Sequence, residues 1–182
     1  DYILNSSYIF ETLLRTEGNS NILFQTNGLQ PRIASVPMSI ENFHKGGRGS
    51  VYQNYQFIEK THNFIQWLFP ISEVSRFVKD TRVILKDDEI KNLITNPVAQ
   101  TNIVKSLQTM MDFFGASLEE DRSGAVPTYT LIANSNQLDR LSNLNNKIHN
   151  CDRITRILTS LKLLGRVDLQ VIVLDYFIKH VI

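Results

Sequence analysis

Apolar residues recur at intervals of three and four in segment after segment of this chain, the spacing that lines one face of an α-helix. Ile103, Val104, Leu107, Met110, Met111 and Phe114 form one such stripe. Asn96-Pro97 reads as its N-cap and first helical residue, and Gly115 as its left-handed stop. Ile154, Ile157, Leu158, Leu161 and Leu164 form a second, ending at Gly165. Tyr55, Ile58, His62, Ile65, Leu68 and Phe69 form a third, which Pro70 stops. Shorter stripes lie at Ile40 and Phe43, at Ile90, Leu93 and Ile94, and at Leu138, Leu141 and Leu144. A last helix follows Asp168 and is apolar nearly all round (Val171, Ile172, Val173, Leu174, Phe177, Ile178), as a core helix or a subunit interface would be. Strand-like alternation is nearly absent, and Glu119 to Thr130, with Ser123-Gly124 and Pro127, reads as a loop. The expected fold class is all-α, a compact multi-helix domain.

An N-terminal arm precedes that domain. Tyr8, Ile9, Leu13 and Leu14 suggest a short helix capped by Ser6 or Ser7, followed by a polar loop at Gly18 to Asn21. From Ile22 to Val36 the pattern is weak and punctuated by Pro31, reading as an arm or a minor strand. The expected division is an arm over 1–39 and a domain over 40–182. At 182 residues the chain can bury one core without staples. Nineteen basic against eighteen acidic residues leave no bulk field for nucleic acid, so no sequence-specific nucleic-acid partner is expected. One cysteine points to a reducing compartment inside the cell. The apolar C-terminal stretch from Leu169 to Ile182 is too short to span a bilayer and carries Asp175 and Lys179. The opening Asp1-Tyr2-Ile3-Leu4 lacks the basic start of a signal peptide.

Residues able to carry chemistry are scattered. Gly46-Gly47-Arg48-Gly49-Ser50 lacks the Gly-Lys-Ser/Thr ending of a phosphate loop and reads as a connector. The four histidines stand singly, with Cys151 alone to help, so no zinc set converges. Glu119-Glu120-Asp121 reads as a solvated acidic run. The expectation is no catalytic residue, no metal and no cofactor.

Two constellations carry more. In His62-Asn63-Phe64-Ile65-Gln66-Trp67-Leu68-Phe69-Pro70, His62 lies on the apolar stripe with Gln66 one turn below. The pair is expected to be buried as a packing device, or to line a pocket with Trp67 as its large apolar contact. In His149-Asn150-Cys151-Asp152-Arg153-Ile154-Thr155-Arg156, the side chains of His149, Arg153, Arg156 and Ser160 fall within about 60° of one another on a helix. Such a basic face clamps a phosphate or a carboxylate, or else its arginines serve architecture through ion pairs or backbone carbonyls.

These two blocks resemble signatures of the opioid growth factor receptor family. His62 to Pro70 matches a block of the form His-x-Tyr/Phe-Ile-Gln-Trp-Leu-Phe-Pro, and Glu73, Ser75 and the residue after Arg76 and before Val78 resemble the loop that follows. His149, Asn150, Arg153, Ile154, Thr155, Arg156, Ile157 and Leu158 match His-Asn-x-x-Arg-Ile-Thr-Arg-Ile-Leu. Met111-Asp112-Phe113-Phe114-Gly115 is similar to the helix end between them. The resemblance runs from about Ile40 to Ile182, with Lys86 standing where members place a threonine cap. It implies a non-enzymatic binding domain, a protein or short enkephalin-type peptide as partner, and peripheral rather than spanning membrane association. It also implies a cytoplasmic, nuclear or perinuclear place. The last helix suggests a subunit of a larger assembly. The candidate contact residues are His62, Gln66, Trp67, His149, Arg153 and Arg156. The alternative is an anion- or nucleotide-binding domain or enzyme using His149, Arg153 and Arg156.

Overall fold

A computed structural model of the chain describes residues 19–45, 55–76 and 78–181. The expected helix around Tyr8 and the Gly46 to Ser50 connector lie outside those residues. The described chain opens with α1 (Ser20–Gln25), then a minimal antiparallel pair, β1 (Arg32–Ile33) and β2 (Val36–Pro37), and α2 (Ile40–Lys45). Next come α3 (Tyr55–Lys60), α4 (Ile65–Leu68), a 3-10 turn at Thr81–Val83, α5 (Asp87–Thr95) and the long α6 (Pro97–Phe113). A hairpin of β3 (Ala116–Asp121) and β4 (Thr128–Ala133) leads to α7 (Gln137–Asn146), α8 (His149–Leu163) and α9 (Val167–His180).

Among the described residues the fold is therefore mixed, helices dominating around two small antiparallel sheets, and the all-α expectation is wrong. Half of the stretch read as a loop, Glu119 to Thr130, belongs to β3 and β4, and residues 122–127 form the loop that joins them. Their register pairs Ala116 with Ala133, Leu118 with Leu131 and Glu120 with Tyr129. Ala116 and Leu118 are buried, Tyr129 and Leu131 pack against the core from the opposite strand, and the alternate residues face solvent. Each strand holds too few inward residues for the alternation to stand out. The acidic outer face disguises it further.

The long helices follow their stripes. Asn96 Oδ1 accepts from the Val98 and Ala99 N–H groups at 3.0 and 3.1 Å, capping α6 as its Asn-Pro start requires. The helix stops at Gly115, which has φ +89°, and a Cβ there would sit 2.6 Å from the Gln137 Cα. Any larger residue is excluded on both counts. Lys86 has no capping side chain, and at the start of α5 the Glu89 carboxylate accepts from the Lys86 N–H at 3.1 Å instead.

The third predicted helix is broken. Its apolar stripe is split between α3 and α4, with a non-helical turn over residues 61–64. Asn63 faces the β1–β2 turn, donating to Arg32 O at 2.8 Å and accepting from Ala34 N–H at 3.3 Å. Arg153 takes the Thr61 carbonyl at 2.8 Å. Both ties draw the backbone out of the helical path. As a consequence His62 is exposed, contrary to expectation, whereas Gln66 and Trp67 are buried.

The described part of the 1–39 segment is core. Phe24 and Ile33 are fully buried, and Phe24 meets Trp67 with ring centroids 5.4 Å apart. Gln25 donates to the Trp67 and Leu68 carbonyls at 2.9 and 3.2 Å, and Asn102 on α6 donates to Gln25 O at 2.8 Å. These residues are not a strand of chain laid over a finished domain. The last helix buries Leu169, Val173, Tyr176 and Phe177 and exposes Val167, Val171, Leu174 and Ile178, so it is half core rather than central.

One buried contact makes stability depend on pH. His44 on α2 hydrogen-bonds the fully buried Ser106 hydroxyl of α6 at 2.8 Å. Burial, helped by the Lys105 ammonium, pushes the imidazole down from 6.5 to about 4. A depressed histidine is neutral when folded while the unfolded chain takes up its proton, so the contribution is whole above pH 6.5 and is lost as pH falls toward 4. The loss should reach about 3 kcal/mol. Urea denaturation of wild type and His44→Gln at pH 7.5 and 4.5 reads it as the difference between their slopes with pH. Parallel slopes would contradict it.

Candidate functional site

The two sequence blocks, some 90 residues apart, meet at one half-open cavity of about 410 Å³. The turn before α4 and α4 itself supply His62, Ile65 and Gln66, and one face of α8 supplies His149, Arg153 and Arg156. The loop after Pro70 closes a third side with Ile71, Glu73, Val74 and Arg76. That loop is tied down where Leu85 N–H donates to Ile71 O at 2.9 Å and Val78 N–H to the Ser75 hydroxyl at 3.1 Å. Five of the six candidate residues thus line one space. Trp67 does not. It is 2% exposed and turned to the core, between the Phe24 ring and the Arg82 guanidinium, 5.7 Å from its centroid.

Inside the cavity the cations are already tethered to differing degrees. Arg153 is buried, donating to Thr61 O at 2.8 Å and to Asn150 Oδ1 at 3.3 Å, with its guanidinium 5.2 Å from the Phe64 ring centroid. Arg156 donates through Nε to Phe69 O at 2.8 Å, while its Nη2 is buried without a hydrogen-bond partner. Burial lowers both guanidinium groups to about 10, against the pull of Glu59 on Arg153 and of Glu73 on Arg156. Both stay charged at neutral pH. Of the two architectural forms expected for these arginines, ion pairs and backbone carbonyls, the carbonyls are the ones present. No carboxylate among the described residues is a hydrogen-bond partner of either arginine.

Sequence reasoning missed the anchor of the histidine pair. Glu59, at the end of α3, sits 2.5 Å from His149 Nε2 and also accepts from Asn143 at 2.8 Å and Asn150 at 3.4 Å. Burial works to raise the Glu59 carboxyl, but the two asparagine hydrogen bonds, with His149 and Arg153 beside it, hold it below the usual range. The His62 ring stands edge-on to His149 at 5.4 Å, and burial together with Arg153 and His149 lowers its imidazole. A helical reading of that block sets Glu59 beside His62, whereas its ion-pair contact is with His149, which no local spacing announces. The Gln66 side-chain oxygen is buried without a partner, as is the Ser160 hydroxyl. No cluster of three metal-ligating side chains occurs among the described residues.

The architecture and the cavity together define a helix-rich domain in which two distant sequence blocks build one pocket of charged and apolar side chains. The chain matches the family model described as the opioid growth factor receptor conserved region over residues 15–182, starting well ahead of Ile40. It belongs to that family. Mouse opioid growth factor receptor is 33% identical over 127 residues, 70% of this chain and 19% of the mouse protein. The rat receptor is 30% identical over 162 residues, 88% of this chain and 25% of the rat protein. The opioid growth factor receptor-like protein 1 of Xenopus tropicalis is 35% identical over 114 residues, 62% of this chain and 20% of the frog protein. The chain thus spans a quarter or less of the length of these relatives. No solved structure matches it.

Proposed function

We propose that this chain is a non-enzymatic binding domain whose partner, a protein segment or a short peptide, docks in the cavity between α4, the loop after Pro70 and α8, as part of a larger assembly. The observation that carries this reading is the convergence of both sequence blocks on that one space. Its relatives are named as receptors, which supports a binding role. The enkephalin-type peptide that the family resemblance implies is one candidate partner. The same proposal places the protein inside the cell, in the cytoplasm or around the nucleus, where the free, exposed Cys151 would stay reduced. No helix among the described residues is long and apolar enough to cross a membrane, and the membrane association that the family resemblance implies is peripheral.

Nucleotide binding or catalysis through His149, Arg153 and Arg156 is less well supported. His149 stands in ion-pair contact with Glu59 and Arg153 is held by Thr61 O and Asn150, while Arg156 keeps a buried Nη2 without a hydrogen-bond partner. A phosphate clamp built on all three would have to break those ties. The binding reading is tested by paired native pull-downs with wild type and Thr155→Trp, a substitution that fills the mouth of the cavity from an exposed lining position. Polypeptides captured by wild type should be lost from the variant. Identical capture by both baits would refute docking in this cavity.

A further inference from the structure

We propose that the cavity captures the free C-terminal carboxylate of its partner, with Arg156 taking the carboxylate oxygens, Gln66 the N–H of the terminal residue, and Ile65, Ile71 and Val74 its apolar side chain. This deepens the binding reading above and rests on it. Four observations lead to it, all within the same pocket lining.

The first is the half-satisfied arginine. Its Nε is fixed on Phe69 O, which sets the plane of the guanidinium, and its Nη2 is buried without a partner. A buried donor left unpaired is costly, and no carboxylate among the described residues forms an ion pair with Arg156. The planar fork of a guanidinium matches the planar pair of carboxylate oxygens better than any neutral acceptor does. The second is Gln66, 3% exposed, whose amide oxygen has no donor. An anion alone would not satisfy that acceptor. A carboxylate carried next to a peptide N–H would satisfy both groups at once.

The third observation is charge. Three arginines and two carboxylates line the cavity (Arg76, Arg153, Arg156, Glu73, Asp152), an excess of one positive charge among these five side chains. One carboxylate balances that excess, whereas a phosphate dianion would overshoot it beside Glu73 and Asp152. The fourth is the apolar wall. Ile65 and Ile71 stand inside and Val74, 76% exposed, stands at the rim, an arrangement suited to one aliphatic or aromatic side chain entering from solvent.

The experiment titrates the isotope-labelled chain with N-acetyl-leucine, N-acetyl-leucinamide and inorganic phosphate, following the side-chain resonances of Gln66 and Arg156. The acid should shift both resonances in a saturable way, and the amide should bind at least about tenfold more weakly, the loss of one charge-assisted hydrogen-bonded pair. Thr155→Trp should abolish the acid's shifts. Val74→Asp, at an exposed position of the rim, should weaken the acid more than the amide, because both lose an apolar contact and the acid alone meets the added negative charge. Equal binding of acid and amide, phosphate displacing the acid at equal concentration, or no shift at Gln66 and Arg156 would each overturn the proposal. If pull-down capture depends on the cavity while acid and amide bind alike, docking stands and carboxylate capture falls. If capture ignores Thr155→Trp, docking itself falls.

Discussion

Arg153→Ala should lower the unfolding free energy by about 3–5 kcal/mol, as the loss of two buried hydrogen bonds from a charged group at about 1.5–3 kcal/mol each requires. The side chain is 5% exposed and serves three elements at once. Its Nη2 satisfies the Thr61 carbonyl just past the end of α3, its Nη1 meets Asn150 on its own helix, and its guanidinium lies against the Phe64 and Phe113 rings. Without it the Thr61 carbonyl is stranded in a buried turn and Glu59 loses a neighbouring cation. Lysine keeps the charge but not the fork, so Arg153→Lys should recover less than half of the loss. Chemical denaturation of the three proteins measures this. A wild-type midpoint for Arg153→Ala would show that the turn at 61–64 holds itself.

Arg153 is one of three arginines with the same occupation. Arg140 donates to Phe113 O at 2.8 Å at the end of α6, and Arg156 to Phe69 O at 2.8 Å at the end of α4. Helix ends leave carbonyls without intrahelical donors, and each of these is met by a cation placed where the helix dipole favours one. Two of the three stand in the second sequence block and reach the first. That explains how residues far apart in sequence come to define a single pocket.

The helices that were legible in the sequence are those whose ends are set locally. Asn96-Pro97, Gly115 and Gly165 mark boundaries through their own backbone chemistry, and the stripes of α6 and α8 run whole between them. Where a boundary depends on a distant partner, reading failed. The α3–α4 break is made by Asn63 meeting Arg32 and by Arg153 meeting Thr61 across 92 residues, and nothing within Tyr55 to Pro70 announces either. The β3–β4 hairpin was missed for a related reason. Its apolar face is divided between Ala116 and Leu118 on one strand and Tyr129 and Leu131 on the other, and becomes a face through pairing. The run Tyr129-Thr130-Leu131-Ile132 was the one local hint, being aromatic and β-branched as strands prefer.

Legibility of the pocket follows the same line. His62, Gln66, His149, Arg153 and Arg156 stood out by residue type, and all five line it. The direction of each side chain did not follow from type. Trp67, the most conspicuous residue of the first block, turns to Phe24, because α4 begins after the break and presents Ile65 and Gln66 to the cavity. A continuous helix from Tyr55 would have set a different face toward α8.

Glu89→Ala should cost about 3 kcal/mol or more, through residues that the sequence suggested were an arm. Glu89 is 1% exposed and accepts three hydrogen bonds: from Asn21 N–H at 2.9 Å, from Asn21 Nδ2 at 3.1 Å and from Lys86 N–H at 3.1 Å. Asn21 is itself fully buried and also donates to Arg82 O and Ile84 O at 3.2 and 3.3 Å. One carboxylate therefore starts α5, holds the first turn of α1, and brings both against the 3-10 turn at Thr81–Val83. Removing it leaves the backbone N–H groups of Asn21 and Lys86 without their acceptor, each worth about 1–3 kcal/mol when buried, while Asn21 Nδ2 keeps the Arg82 and Ile84 carbonyls. Glu89→Gln retains one acceptor oxygen but puts an amide donor against other donors, so it should recover part of the loss at most. Because the carboxylate bridges α1 and α5, the damage should spread beyond α5. Hydrogen exchange of Glu89→Ala should show the amides of residues 20–25 opening together with those of residues 87–95. If residues 20–25 exchange freely while the rest keeps its wild-type protection and denaturation midpoint, α1 is dispensable to the core and Glu89 is a cap for α5 alone.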